Sequence, residues 1–228
     1  MRARISIVIP TLEAAPALPA CLGALVEGVP AGLVREVIVS DGGSTDATRA
    51  IAEAAGAVIV TGPPSRGGQL RRGAGAARGE WLLVVHADTV LPAGWSGAVR
   101  ARMETGGPAA FRLGFDAEGL APLLVAGWAN LRTRALDLPY GDQALLIPRG
   151  AYHAAGGYPD IPLMEDVALA RALRRQGQGI ALLPVGVTTS AARYRREGWL
   201  RRGARNLWCL AQYLGGVDPV RIAARYQR

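Results

Sequence analysis

Apolar positions in the first half of the chain come in short β-rich runs separated by segments with helical spacing. Ile5-Ser6-Ile7-Val8-Ile9 predicts a first strand ended by Pro10, and Leu18 to Val26 carries apolar residues at the helical period. Glu36 to Ser40 predicts a second strand, followed by the polar turn Asp41 to Asp46 and a helix through Ala55. Val58-Ile59-Val60 follows as a third strand, Gly67 to Ala77 as a helix, and Trp81 to Val85 as a fourth strand. Near-continuous apolar strands alternating with helices predict a mostly parallel, Rossmann-like α/β sheet with helices on both faces. The second half is less regular. It predicts a strand over Ala109 to Phe115, a helix near Leu120 to Leu136, a strand over Ala144 to Ile147 and a helix from Glu165 to Gln176. A last helix runs from about Glu197 to Tyr213, with a short tail. There is no internal repeat and no linker.

At 228 residues the chain suits one α/β domain with a full core. Half of the residues are hydrophobic and 19% are charged, which excludes a disordered or fibrous protein. The apolar stretches Ala121 to Leu131 and Trp81 to Val85 are broken by Arg132 and His86, short of a bilayer-spanning length. Met1 to Arg4 and the run after it are too brief for a signal peptide and read as the approach to the first strand. Two cysteines, Cys21 and Cys209, make neither a disulfide framework nor a zinc cluster, so a reducing cytoplasm is the expected location.

Charge adds a division. All 26 basic residues are arginine, a usage that reflects codon bias as well as chemistry. From Arg193 to Arg228 nine arginines stand against Glu197 and Asp218, which is +7 of the net +8. A nucleic-acid-binding domain would spread its basic face over the folded elements, so no nucleic-acid partner is expected. The pattern predicts a domain over 1–192 and a basic, aromatic-rich helical extension over 193–228. That extension interleaves Trp199, Leu200, Leu207, Trp208, Leu210, Tyr213 and Leu214 with Arg201, Arg202, Arg205 and Arg225. An apolar-aromatic face opposite arginines fits peripheral contact with an anionic membrane, and equally a helix packed on the domain with a solvated basic face.

Ligands of open parallel sheets bind at the carboxyl ends of strands. Three polar clusters stand there: Thr11-Leu12-Glu13 after the first strand, Asp41 to Asp46 after the second, and His86-Ala87-Asp88-Thr89 after the fourth. One such cluster alone reads as a turn or a helix cap. Three in register point to a binding rim.

With Gly141-Asp142-Gln143, Gly156-Gly157-Tyr158-Pro159 and Met164-Glu165-Asp166, these motifs resemble the inverting family-2 glycosyltransferases of the GT-A fold. His-Ala-Asp-Thr together with Pro-Leu-Met-Glu-Asp-Val is similar to a bacterial subgroup labelled radical-SAM/selenium-domain-associated. The resemblance covers roughly residues 4 to 190. It implies that Asp41 and Thr11 contact the nucleotide, with Glu13 beside them, and that Asp88 ligates Mg²⁺ or Mn²⁺, with His86 and Ala87 completing the donor-side motif. A hard carboxylate oxygen suits such a cation, which also neutralises the diphosphate leaving group. Arg66 and Arg71 fall in the segment that usually faces the diphosphate. Asp142 and Gln143 are implied on the acceptor side, and Asp166, with Glu165 as neighbour, is implied as the general base. The expected activity moves a sugar from a nucleotide-diphosphate sugar, UDP-type, to an acceptor hydroxyl that is lipid-linked if the extension meets a membrane.

The chain departs from the family pattern at His86, where an Asp is usual, at Gly42 and at Ala14. Two other classes compete. A nucleotidyltransferase would want a Gly-rich basic loop after the first strand, yet Thr11 to Ala17 has no glycine and no basic residue. A non-catalytic nucleotide-binding relative would not need both Asp88 and Asp166. No Gly-x-Gly-x-x-Gly follows the first strand, which excludes a Rossmann dehydrogenase.

Overall fold

The computed structural model describes residues 3–226; Met1, Arg2, Gln227 and Arg228, including the first residues of the approach to the first strand and the last of the nine C-terminal arginines, lie outside them. The elements in chain order are β1 (Ile5–Thr11), α1 (Leu18–Leu25), β2 (Val34–Asp41), α2 (Thr48–Ala54), β3 (Val58–Thr61), α3 (Arg66–Ala76) and β4 (Trp81–Val84). Then come β5 (Thr89–Val90), α4 (Trp95–Thr105), β6 (Ala109–Phe115), α5 (Leu120–Leu136), β7 (Leu145–Pro148), α6 (Arg149–Ala154) and α7 (Glu165–Arg175). The chain closes with β8 (Ala181–Thr189), α8 (Ala192–Glu197), α9 (Trp199–Leu214) and α10 (Pro219–Tyr226).

One sheet runs in the order β3-β2-β1-β4-β7-β6-β8-β5. Its first four strands are parallel, as the alternation predicts. Beyond β4 the sheet is mixed: β7 is antiparallel to both β4 and β6, β8 is parallel to β6, and β5 is antiparallel to β8. A mostly parallel sheet therefore holds only for one half. The regular β-α-β period stops at β4, and β7 enters from the opposite end after α5 and the turn Gly141–Gln143. Strand β8 contains Pro184 and Gly186, and its register with β6 shifts between Ala110 and Arg112, so it carries no clean alternation.

Both sheet faces are covered, which is why the inner strands read as unbroken apolar runs. Val8, Leu82 and Val84 point into one core with Leu70, Tyr158 and Leu173. Ile7, Ile9, Leu83 and Val85 point into the other with Leu18, Trp95 and Phe111. Cys209, Leu210 and Ile222 of the C-terminal helices belong to the first core. No helix among the described residues is long and apolar enough to cross a membrane.

Candidate active site

The parallel register sets Thr11 opposite Asp41 at the carboxyl rim. Asp41 ends there with no exposed surface. One of its oxygens accepts from Thr11 Oγ1 at 3.0 Å and from Ser44 Oγ; the other accepts from the backbone N–H groups of Gly43 and Ser44 at 2.9 and 2.8 Å. Burial pushes its pKa up, but these bonds outweigh burial and hold it below the usual carboxylate value. The carboxylate expected to face a base is thus turned inward and shapes the turn.

Glu13 latches the first rim loop to the second: its backbone N–H donates to Ser44 Oγ at 2.9 Å and its Oε1 accepts from the Thr45 N–H at 2.8 Å. Gln69, which sequence reasoning passed over, is buried and donates to the carbonyls of Thr11 at 2.6 Å and Ser40 at 3.2 Å. It clamps the ends of β1 and β2.

Two adjoining clefts open at this rim. The first is lined by Thr11, Glu13, Gln69 and Ala87, and the second by Tyr140, Gly141, Asp142, Asp166, Tyr194 and Asn206, among others. Arg66, His86, Asp88, Glu165 and Arg193 line both. Arg193 carries no motif and stood out in the sequence only as the first of the C-terminal arginines.

Arg66 begins α3, whose N-cap is Ser65, accepting from the Gly68 N–H at 3.2 Å. Gly67 donates to the Ile161 carbonyl at 3.2 Å, and a Cβ there would collide with the Pro159 carbonyl. This close approach brings Arg66 Nε to 3.3 Å from Glu165 Oε1, linking the two sides of the junction. Arg71, expected beside it, is exposed and lines neither cleft. Five residues along a helix turn the side chain about 140° away.

Gly141 makes a second close approach: a Cβ would strike the His86 imidazole and lie 3.0 Å from Asp166 Oδ2. Its N–H donates to that same Asp166 oxygen at 2.9 Å. Burial first, then Glu165, pushes the Asp166 carboxyl up to about 8, against the opposing pull of Arg66 and the Gly141 bond. Burial, then Arg66, pushes His86 down to about 4, so its imidazole is neutral at neutral pH. Burial also raises Asp142, whose Oδ1 has no hydrogen-bond partner. Neighbouring Gln143 is fully buried and faces elsewhere. Its amide accepts from Thr133 Oγ1 at 2.8 Å and Arg132 at 3.3 Å and donates to the Phe111 carbonyl at 3.2 Å, tying α5 to β6. It lines neither cleft, contrary to its expected place on the acceptor side.

The C-terminal helices wall the second cleft. Arg202 and Arg205 turn inward onto Glu197 at 3.0 and 2.8 Å, and Arg202 also donates to the Tyr226 hydroxyl at 2.6 Å. Tyr194 stacks on Trp199 at 4.7 Å.

Among the described residues no three His, Cys, Asp or Glu side chains cluster to enclose a metal. At the junction of the clefts stand the carboxylates of Asp88 and Glu165; Glu165 is buried against Arg66 at 3.3 Å, so Asp88 is the one that faces a cation. That set fits a hard divalent cation held by one carboxylate and completed by substrate phosphates, as Mg²⁺ commonly is.

The family model for glycosyl transferase family 2 matches residues 6–124. No curated protein matches. Among solved structures, the chain is similar to glucosyl-3-phosphoglycerate synthase from Mycobacterium tuberculosis in complex with Mn²⁺, UDP and glucosyl-3-phosphoglycerate, with 23% identity, a TM-score of 0.60, and coverage of 81% of this chain and 70% of that one. A mannosyltransferase from Pyrobaculum calidifontis in complex with GDP-mannose and Mn²⁺ gives 20% identity, a TM-score of 0.64, and 88% and 62% coverage. TarS from S. aureus gives 14%, 0.65, and 98% and 70%. The chain spans under two thirds of the mannosyltransferase, and these likenesses are of fold.

Proposed function

Since the chain belongs to glycosyl transferase family 2, we propose that it moves a sugar from a nucleotide-diphosphate sugar, UDP-type, to an acceptor hydroxyl with inversion at the anomeric carbon. The observation that carries this reading is the meeting of two clefts at one rim. Asp88 stands at their junction, and Asp166, with its carboxyl near 8, stands in the second.

In this reading the first cleft holds the nucleotide against Thr11, Glu13 and Ala87, and Asp41 sets the shape of the turn beneath. Asp88 holds Mg²⁺ or Mn²⁺, which when bound neutralises charge on the departing diphosphate. Relatives in fold are solved with Mn²⁺ and a nucleotide, which supports the choice of metal. Arg66 and Arg193, shared by both clefts, face the same phosphates. The acceptor lies in the second cleft beside Asp142. Its oxygen attacks the anomeric carbon as the bond to the diphosphate oxygen breaks, and its proton passes to Asp166. A single in-line displacement requires no covalent nucleophile. The motif that spans Pro162 to Val167, with His86, supports assignment to the bacterial subgroup named above. The buried, free Cys21 and Cys209 fit a cytoplasmic location.

The test is thermal unfolding with UDP or GDP, with and without Mn²⁺. A ligand at a hundred times its Kd stabilises by about 2.7 kcal/mol. Asp88→Ala is expected to lose the metal-dependent part of that stabilisation and keep the metal-independent part. Equal stabilisation of variant and wild type by every nucleotide with Mn²⁺ would remove Asp88 as the anchor.

A further inference from the structure

Helices α5 and α9 pack against each other, and each sends most of its large apolar side chains to the surface. On α9 the polar side chains Arg202, Arg205 and Gln212 face the protein, while Leu200, Ala204, Leu207, Trp208, Ala211 and Leu214 form an exposed stripe at helical spacing. On α5 the buried face carries the small Pro122, Ala126 and Ala129 with Arg132 and Thr133, while Leu120, Leu123, Leu124, Trp128 and Leu131 are exposed. Leu120 is 79% exposed, Leu124 71% and Leu200 88%. Among the described residues, ten of the fifteen exposed large hydrophobic side chains lie on these two helices, so the apolar surface is concentrated. A patch of this kind marks a docking face.

We propose that this face rests on an anionic lipid bilayer, with α5 and α9 lying in the interface. Charge selects the occupant. The segment from residue 193 onward carries +7, and Arg193, Arg195, Arg196, Arg201, Arg221 and Arg225 are exposed. Near the start of α5, Asp116 is paired with Arg195 at 3.5 Å, which leaves exposed Glu118 as the opposing charge. A second copy of the chain would bring +7 against +7, whereas anionic headgroups bring the opposite sign. Trp128 and Trp208 suit the headgroup level, where an apolar ring meets water at one edge.

The docking face stands independently of the transferase reading, and one consequence rests on that reading. Helix α9 presents Leu207 and Trp208 outward and supplies Arg202 and Asn206 to the second cleft. Docking therefore sets the acceptor cleft at the membrane surface, and the acceptor hydroxyl is one carried by a membrane lipid.

The experiment is co-sedimentation of the full chain with phosphatidylcholine vesicles with and without phosphatidylglycerol, with UDP–Mn²⁺ thermal shifts on the same preparations. Wild type is expected to sediment with the anionic vesicles at low salt and to release as salt rises. Leu124→Glu with Trp208→Glu, both at exposed positions, is expected to abolish sedimentation and leave the thermal shift intact. Arg201→Glu with Arg221→Glu is expected to weaken partitioning roughly fivefold or more for each arginine removed. Wild-type protein that stays in solution with anionic vesicles at low salt overturns the proposal, as does unchanged sedimentation of the Leu124/Trp208 variant. A wild-type dimer that this variant converts to monomer overturns it in favour of a second copy. Nucleotide binding without vesicle binding defeats docking and spares the transferase reading, and the reverse result does the opposite.

Discussion

Asp166 gains its character from position. Set at the start of α7 with Met164 in the left-handed region before it, its carboxyl is held against the Gly141 N–H, half-buried among Glu165 and Asp142 in the wall of the second cleft. The folded protein therefore favours its protonated form up to about pH 8. In the proposed transfer ionised Asp166 is the form that accepts the proton, so kcat/KM is expected to rise with pH and level off above about 8. Asp166→Asn keeps the size and the acceptor for Gly141 but cannot take the proton. It is expected to lower the transfer rate by roughly 10² to 10⁴-fold with donor affinity unchanged. Stability gives an independent check with a fixed sign. A carboxyl whose folded pKa lies above its unfolded value stabilises the fold below the unfolded value and loses that contribution as pH rises toward 8. Wild type and Asp166→Asn should therefore melt alike near pH 4, and the variant should melt higher at pH 8. Full activity in the variant, or a melting difference that ignores pH, would detach Asp166 from proton transfer.

At the level of elements, two residues read from the sequence as site residues bond to the scaffold in the structure. Gln143 is spent on Thr133, Arg132 and the Phe111 carbonyl, so it fastens α5 to β6. Gln143→Leu removes these buried bonds, including the donor to the Phe111 carbonyl, and is expected to cost about 1–3 kcal/mol of stability, with nucleotide affinity untouched. An unchanged melting temperature with impaired transfer would return Gln143 to the acceptor side. Asp41 shows the same limit of legibility. Its place at the end of β2 follows from the apolar run before it, but the direction of its carboxylate depends on Ser44 and Thr11 closing around it. Strand ends announce themselves through period and polarity, and so the position of Thr11, His86 and Asp88 at the rim, where they line the clefts, was legible. Arg71 was misplaced because helical phase, rather than proximity in sequence to Arg66, decides what faces a cleft. The return direction of β7 and the existence of β8 were hidden for a related reason: pairing partners distant in sequence leave no local period.

For the whole molecule, charge and packing give different pictures of the C-terminal helices. The charge step at Arg193 suggests a detachable extension, since the first 192 residues are nearly neutral. Packing argues the other way. Ile222 is fully buried, Cys209 and Leu210 nearly so, and they share one core with Val8, Leu82 and Tyr158 of the central layers. Tyr194 and Trp199 stack together against Phe115 at the end of β6, and Arg202, Asn206 and Tyr226 close the second cleft. Ending the chain after Ser190 would bare this face of the core and remove the cleft's wall, a loss of several large apolar contacts worth about 1.5–3 kcal/mol each. Against a total stability of about 5–15 kcal/mol, that loss is expected to leave the truncated chain largely unfolded or aggregated at ordinary temperature. A chain of the same length ending in a true accessory would instead melt where the full chain melts. Circular dichroism melting of the two chains side by side separates the cases: coincident transitions would establish the extension as separate, and a collapsed transition for the truncated chain would make the basic helices part of the one fold that holds the second cleft.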